Sequence, residues 1–202
     1  MDWLSTISLA LGSAWTSGIN LYATVAILGF FQKLGWAKLP GGLEVLNNWW
    51  IIGVAAFLYL IEFVADKVPY VDSVWDVVHT FIRVPAGATL AYAAVGNYEP
   101  SIQVIAFLLG GGVAFSSHGT KATARAFANI SPEPVSNWAL SIFEDIVAIG
   151  GAVLVIFAPI VMGVVVGIFL IFFFLFFPRI WRALRKMFAT VGALFRGKGD
   201  FA

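Results

Sequence analysis

The chain has 202 residues, of which 60% are hydrophobic and only 11% are charged, and its formal net charge is +1. A typical soluble domain is about 45–50% apolar and about 25% charged, so this composition excludes an ordinary soluble protein. The near-neutral charge excludes a bulk attraction to nucleic acid, and the lack of cysteine excludes disulfides and thiolate metal sites. We therefore expect an integral membrane protein.

The apolar stretches predict an all-α polytopic membrane bundle of about six spans, because one crossing needs about 20 apolar residues. The predicted spans cover about residues 5–31, 49–65, 72–95, 102–129, 137–157 and 160–177. Residues 1–180 would form a single transmembrane domain. Residues 181–202 would form an amphipathic basic tail, which the excess of Lys and Arg places in the cytoplasm.

Two of these spans contain residues that interrupt a helix. The first is interrupted between Ser13 and Asn20, and the fourth by Gly110–Gly112 and Ser116–Gly119. The segment 14–17 recurs as 114–117, and an acid-bearing span follows each copy. This order predicts two inverted three-span repeats, residues 5–96 and 102–180, with broken or re-entrant first helices. Paired broken helices are typical of secondary transporters, whose substrate sites lie near the breaks.

Ionisable residues lie inside the second and third spans. Glu62 and Asp66 are four residues apart, so they share one face of a helix. A second stripe follows steps of four, three and four residues along the third span: Asp72, Asp76, His79 and Arg83. A charge at bilayer depth costs about 2.5–3.5 kcal/mol, so such residues usually face the bundle interior and indicate a functional site.

Carboxylates with an imidazole suit a hard or borderline divalent cation or a proton relay. The predicted metal ligands are Glu62, Asp66, Asp76 and Glu144. His79 or His118 would accept a proton. The structural alternative is a buried salt-bridge network without a ligand, in which Asp66 or Asp76 pairs with Arg83 and Glu62 pairs with Lys67.

A second group of candidates lies in the fourth and fifth spans. Lys121 and Arg125 share a helix face, with His118 three residues before Lys121. The glycines and hydroxyls around them predict a helix N-terminus near mid-membrane, which would favour an anion. The two cations would otherwise pair with the acids of the first group. Glu144 and Asp145 point about 100° apart, so one would face the centre and the other a neighbouring break or a base.

The predicted substrate-binding residues are Asn20, Glu62, Asp66, Lys67, Asp72, Asp76, His79, Arg83, His118, Lys121, Arg125, Glu144 and Asp145. Asn20 and its neighbour Tyr22 lie at the first break, where polar residues also serve as plain helix–helix hydrogen bonders.

Four segments, 18–24, 62–69, 71–76 and 131–138, resemble the bacterial membrane-protein family DUF4126. This resemblance covers about residues 8–158 and implies no particular substrate. Glu62 to Lys67 is also similar to the Glu-x-Gly-Asp-Lys signature of a family of manganese and calcium transporters, although here three residues separate the acids and the glycine is absent.

These features favour a bacterial inner-membrane transporter that moves a small ion, a cation with divalent metals among the candidates, coupled to protons. Lys121 and Arg125 would replace the cation in the empty site. One alternative is an anionic-lipid or polyprenyl-phosphate translocase that holds its head group with the basic residues. Others are a lipid-directed enzyme with His79 or His118 as general base, and a scaffold. Membrane lipids and a homo-oligomeric partner are expected; a cofactor is not.

Overall fold

The structure is a computed structural model that describes residues 1–128 and 134–196. This part of the chain is helical and contains no strand, so the predicted all-α class is confirmed for it. The α-helices are α1 Trp3–Ile19, α2 Leu21–Lys33, α3 Trp49–Ala65, α4 Pro69–Ala94, α5 Pro100–Ala128, α6 Pro134–Phe157 and α7 Pro159–Arg196, with a 3-10 helix at Gly41–Leu46 between α2 and α3.

The chain forms two compact units, Met1–Val166 and Gly167–Ala202. The first contains α1 to α6 and the start of α7. The second contains the rest of α7, whose backbone stays helical through Pro178 to Arg196. The side chains beyond Arg179, which include most of the predicted basic tail, and all of residues 197–202 lie outside the part that the structure describes.

Within the residues that the structure describes, three helical segments are long and apolar enough to cross a membrane: Pro100–Ala128, Val135–Phe157 and Pro159–Arg179. Leu21–Lys33 and Trp49–Ala65 are apolar but shorter. α4 has 26 residues and carries four of the predicted site residues between Asp72 and Arg83. These helices support a membrane protein, whereas the six-span layout is not confirmed.

The chain between α1 and α2 turns at a single residue, Asn20. Its backbone is extended, with φ −147° and ψ 102°, and its side-chain oxygen accepts a hydrogen bond of 2.9 Å from the backbone N–H of Ala23. An asparagine in this role is a common N-cap, because its side chain satisfies an N–H that the helix leaves free. The predicted first break is therefore present, and it lies at the end of the expected segment.

α1 and α2 form a helical hairpin. Near the C-terminal end of α6, Val155 packs against Gly12 of α1. Two residues later, the ring of Phe157 lies 5.3 Å from the ring of Phe31 in α2. Asn20, between the two helices, lies beside the middle of α6 instead. From Asn20, α1 and α2 therefore both extend toward the end of the bundle where α6 has its C-terminus.

The predicted break in the fourth span is wrong, because α5 runs without interruption from Pro100 to Ala128. The hydroxyls of Ser116 and Thr120 each donate a 2.8 Å hydrogen bond to a backbone carbonyl three or four residues earlier, so they do not interrupt the helix. Gly110 supports close helix packing, since a Cβ there would lie 2.4 Å from the Cβ of Ala91 in α4. No mid-membrane helix N-terminus exists here to hold an anion.

The recurring segments 14–17 and 114–117 both lie inside continuous helices, so the inverted repeat loses its paired breaks and is not confirmed. The small residues of these segments have a packing role instead. A Cβ on Gly18 would lie 2.0 Å from the Oγ of Ser117, and one on Gly87 would lie 2.4 Å from the Cβ of Ala114. Small residues at such contacts let membrane helices approach closely. They hold α1, α4 and α5 together.

α4 and α5 are antiparallel and in register along their length. Gly110 faces Ala91 at one end, and at the other end Asp72 meets Arg125. The small residues lie C-terminal to Arg83 in α4 and N-terminal to His118 in α5. The other part of each helix carries the ionisable residues, which therefore face one another.

Candidate functional site

The predicted ionisable residues meet in one buried region between α3, α4, α5 and α6. We call it the charged cluster; its members are Glu62, Asp66, Asp72, Asp76, Arg83, His118, Lys121, Arg125, Glu144 and Asp145. None of these residues is more than 7% exposed. The helical spacing of the sequence explains the convergence, because each helix places its charges on the face that it turns toward the others.

Lys121 lies at the point where four carboxylates converge. Its Nζ is 3.1 Å from Asp66 Oδ2, 3.5 Å from Glu62 Oε1, 3.6 Å from Glu144 Oε2 and 4.0 Å from Asp76 Oδ1. These four acids are the ones that the sequence predicts as metal ligands. In the described residues, no group of three or more His, Asp or Glu side chains is arranged to hold a metal ion. The ligand role stays a prediction.

Arg125 ties four helices together. Its Nη1 donates to Asp72 Oδ1 at 2.9 Å and to the backbone carbonyl of Asp66 at 2.7 Å. Its Nη2 donates to Asp66 Oδ2 at 3.0 Å and also to Glu144, while its Nε donates to Glu144 Oε2 at 2.9 Å. A guanidinium has donors in a fixed planar fork, so this many partners fix its position. Arg125 is thus a structural centre of the cluster.

Arg83 fixes the protonation of His118. Its Nη2 donates to Glu62 Oε1 at 2.6 Å, and its Nη1 lies 3.0 Å from His118 Nδ1. Because a guanidinium can only donate, His118 Nδ1 accepts this bond and the ring proton is on Nε2. His118 Nε2 then donates to the Oγ1 of Thr80 at 2.8 Å. The imidazole is neutral in this arrangement.

Thr80 did not appear among the predicted site residues. Its hydroxyl donates a 2.9 Å hydrogen bond to the backbone carbonyl of Asp76, four residues earlier. That spacing puts Thr80 on the same stripe as Asp76, and this is the signal that would have identified it.

Comparison with known proteins gives a family and no activity. A family model described as a domain of unknown function, DUF4126, matches residues 7–179. The chain belongs to this family. The resemblance seen in its motifs is thereby confirmed. No curated protein and no solved structure matches the chain.

Two of the predicted residues of this DUF4126 chain lie beside the cluster. His79 donates from Nδ1 to the carbonyl of Trp75 at 2.8 Å, and its Nε2 lies 3.0 Å from the hydroxyl of Tyr22 in α2. Its ring also stacks on Trp75, with centroids 4.4 Å apart. The Nζ of half-buried Lys67 contacts a backbone carbonyl of α3 at 2.9 Å and Ser141 Oγ at 3.4 Å. Neither reaches the four acids around Lys121.

The hairpin tip of the DUF4126 chain touches the cluster at its edge. The side-chain amide of Asn20 donates to Asp145 Oδ1 at 3.4 Å. Its neighbour Glu144 points instead to Arg125 and Lys121, so the two adjacent acids face different partners, as their 100° separation requires. Asn20 therefore links the turn of the hairpin to the acid-bearing part of α6.

Proposed function

We propose that this protein is an integral membrane transporter of a small cation and that Lys121 occupies the place of that cation when the site is empty. The main support is that four carboxylates lie within 4.0 Å of the Lys121 Nζ: Glu62, Asp66, Asp76 and Glu144. Buried carboxylates without sulfur or free imidazole partners prefer hard cations such as Mg²⁺, Ca²⁺ or Mn²⁺.

The two basic residues at the centre of the cluster, Lys121 and Arg125, differ in a way that supports this role for Lys121. Arg125 has a planar fork of donors engaged by three acids and one carbonyl. Lys121 is a compact point charge on a flexible stem, and only its bond to Asp66 is within ordinary hydrogen-bond distance, at 3.1 Å. A point charge of this kind can leave and be replaced by another cation, whereas Arg125 keeps the acids in place.

We also propose the arrangement in the membrane. α3 to α6 cross it, and the α1–α2 hairpin enters and leaves on one side with its tip at the charged cluster. The support is that Asn20 lies at mid-height of α6 while both open ends of the hairpin lie near its C-terminal end. The basic residues that follow the last apolar helix favour a cytoplasmic C-terminus in a bacterial inner membrane.

The alternative functions have less support from the geometry. A lipid translocase needs cations that are available to a phosphate head group, but Arg83, Lys121 and Arg125 each contact at least two buried carboxylates. A lipid-directed enzyme needs a histidine with a free nitrogen, but both nitrogens of His79 and of His118 have hydrogen-bond partners.

Transport is tested with the full-length protein in sealed lipid vesicles, using Mn²⁺ and, in separate vesicles, Na⁺ as the probes. Wild-type vesicles should take up at least one of them faster than empty vesicles. Asp66→Asn should slow uptake by about tenfold or more, because a charged hydrogen bond is worth roughly 1.5–3 kcal/mol. The control is Glu44→Gln, which removes an exposed carboxylate outside the cluster. Folded wild-type protein that moves neither cation, but transfers anionic lipid between leaflets, would contradict the proposal.

A further inference from the structure

One acid and one base at the charged cluster take no part in its ion pairs. Among the described residues, Asp145 forms no ion pair with a basic side chain, and neighbouring Lys67 forms none with an acid. Every other carboxylate of the cluster lies within 4.0 Å of Arg83, Lys121 or Arg125. The proposed cation position around Lys121 therefore leaves Asp145 and Lys67 without a role.

Lys67 and Asp145 approach the same face of α6. The Nζ of Lys67 lies 3.4 Å from the Oγ of Ser141, to which it donates. Ser141 comes four residues before Asp145 within one continuous helix, so their side chains lie on one face of that helix. The ammonium of Lys67 is therefore placed about one helical turn from the carboxylate of Asp145.

Asp145 is buried and has one carboxylate oxygen without a hydrogen-bond partner. Its Oδ1 accepts a hydrogen bond from the side-chain amide of Asn20 at 3.4 Å, whereas no described group bonds to its Oδ2. The phenol of Tyr59, in α3, faces the same acid. Because buried polar atoms in native proteins usually have a partner, the Oδ2 of Asp145 indicates a place where a further ligand binds.

Lys67 spans a gap between α3 and α6. Few Cα atoms of these two helices come within 8 Å of each other, so side chains connect them. Lys67 follows the end of α3 and is half-buried, whereas no member of the charged cluster is more than 7% exposed. Its Nζ donates to the backbone carbonyl of Phe63 at 2.9 Å and lies over the ring of Phe63. Among the charged side chains described at this place, Lys67 is the one that reaches the surface.

We propose that the gap between α3 and α6 is the entry route of the cation, that Lys67 closes this route, and that Asp145 is the first residue to bind the entering cation. When Lys67 leaves Ser141, the cation takes the place of its ammonium between Asp145 Oδ2 and the Ser141 hydroxyl. It then passes to the four acids around Lys121. This inference rests on the proposed transport function and adds a second, outer position for the same hard cation.

The outer position has the same chemistry as the inner one, with a weaker hold on its lysine. At both positions a lysine ammonium, a point charge on a flexible stem, contacts oxygen atoms of the kind that bind hard cations. Lys67 bonds only to neutral oxygens, the carbonyl of Phe63 and the hydroxyl of Ser141. Lys121 has four carboxylates within 4.0 Å. Lys67 therefore leaves without separating an ion pair, and it moves more easily than Lys121.

Thiol labelling of the full chain in lipid discs tests this route, because the chain contains no cysteine of its own. Ser141→Cys places a single thiol beside Lys67, and Ser13→Cys places one in α1 as the matched control. Both serines are 0% exposed, so a difference in labelling reports opening of the structure. Iodoacetamide is the reagent, because it is small and uncharged and the charge of Lys67 neither attracts nor repels it.

Ser141→Cys should react several-fold faster than Ser13→Cys. Adding Lys67→Met should raise the Ser141→Cys rate by about fivefold or more, because each of the two lost hydrogen bonds is worth about two- to tenfold in an equilibrium. Loss of the nearby positive charge alone would leave less reactive thiolate and slow the reaction, so faster labelling reports the opening. Mn²⁺ should slow the labelling of Ser141→Cys, and Asp145→Asn should remove this protection.

The outcomes separate this inference from the proposed function. Labelling of Ser141→Cys as slow as that of Ser13→Cys and unchanged by Lys67→Met overturns the entry route, even if vesicles take up Mn²⁺ or Na⁺. Fast labelling that Mn²⁺ does not slow overturns the outer cation position. Protection by Mn²⁺ that depends on Asp145 supports that position. If vesicles then take up neither cation, the position at Asp145 stands and the transport function is overturned.

Discussion

The interface between α4 and α5 differs in character between its two ends. At one end Gly87, Ala91 and Gly110 bring the backbones together without any charge. At the other end Asp72 and Arg125 begin a buried network of acids and bases. The end with the small residues fixes the register of the two helices, and that register determines which charges meet at the other end. Close packing therefore positions the charges, and Arg125 in turn joins Asp66, Asp72 and Glu144.

The largest loss of stability is expected from Arg125→Gln, at the charged end of the α4–α5 interface. This change leaves Asp66, Asp72 and Glu144 without the guanidinium to which they all bond. Breaking a buried ion pair by removing one partner costs about 3–5 kcal/mol, so the variant should be strongly destabilised. Thermal melting in detergent, followed by tryptophan fluorescence and size exclusion, measures it. A melting curve equal to that of the wild type would show that the network does not hold α3 and α6.

A smaller but clear loss of stability is expected from Gly110→Ala, at the end of the α4–α5 interface where the small residues lie. The new Cβ would lie 2.4 Å from the Cβ of Ala91 and 3.0 Å from the carbonyl oxygen of Gly87, so α4 and α5 must separate. Overpacking of this kind costs roughly 1–3 kcal/mol.

Gly112→Ala in the same helix is the matched control, because a Cβ there meets nothing within 4 Å. We expect it to be neutral or slightly stabilising, since alanine favours the helix over glycine. Equal melting temperatures for the two variants would contradict the close approach of α4 and α5 at Gly110.

A still smaller loss of stability is expected from Asn20→Ala, at the tip of the α1–α2 hairpin. The change removes the cap of α2 and the amide bond to Asp145, and loss of a cap costs about 1 kcal/mol. Asn48→Ala removes a comparable cap at the exposed start of α3, with no bond to the cluster. Both variants should lose similar stability, but only Asn20→Ala should lower Mn²⁺ uptake in vesicles. Equal uptake by the two would show that the tip is not part of the site.

The smallest effect on stability is expected from Asp76→Asn. Among the described residues neither carboxylate oxygen of Asp76 has a hydrogen-bond partner, and its ion pairs are no shorter than 3.5 Å. The isosteric amide should therefore change the stability by no more than ordinary surface substitutions do, about 0.5 kcal/mol. Asp66→Asn, in an acid bonded to two cations, should lower the melting temperature distinctly. The reverse order would contradict this ranking of the two acids.

The sequence predicted the charges better than the helices that hold them. Spacing grouped Glu62 with Asp66 on one helix face and Asp76 on a second stripe, because helical periodicity determines which residues share a face. Glu144 was added from the repeat, which is not confirmed, and the structure brings it to the same lysine. The glycines of α5 were misinterpreted as a break, since composition does not reveal that a neighbouring helix such as α4 needs small residues at that height. The reversal of chain direction at Asn20 also depends on packing against α6, which local sequence does not specify.

Sequence reasoning identified only some of the partners of these charges. The salt-bridge alternative paired Arg83 with Asp66 or Asp76, and Arg83 does lie 3.5 Å from Asp76. It also paired Lys67 with Glu62, but Glu62 bonds to Arg83, which lies 21 residues away. Such pairs depend on the tertiary arrangement of α3, α4 and α5, and that arrangement follows from the contacts of uncharged residues. Spacing from Asp76 marks Thr80 as a candidate, but its hydrogen bond to His118 follows only from the tertiary arrangement.

We propose that the Lys121 ammonium stands where the transported cation binds, and the affinity of the protein for Mn²⁺ is the measurement that decides this. Lys121→Met removes the internal competitor, and Lys38→Met makes the same change at an exposed lysine outside the cluster. Electron paramagnetic resonance of free Mn²⁺ gives the dissociation constant for each folded variant in lipid discs. We expect Mn²⁺ to bind at least about tenfold tighter, or ~1.4 kcal/mol, in Lys121→Met and with unchanged affinity in Lys38→Met. Folded Lys121→Met protein that binds Mn²⁺ no better than the wild type would contradict it.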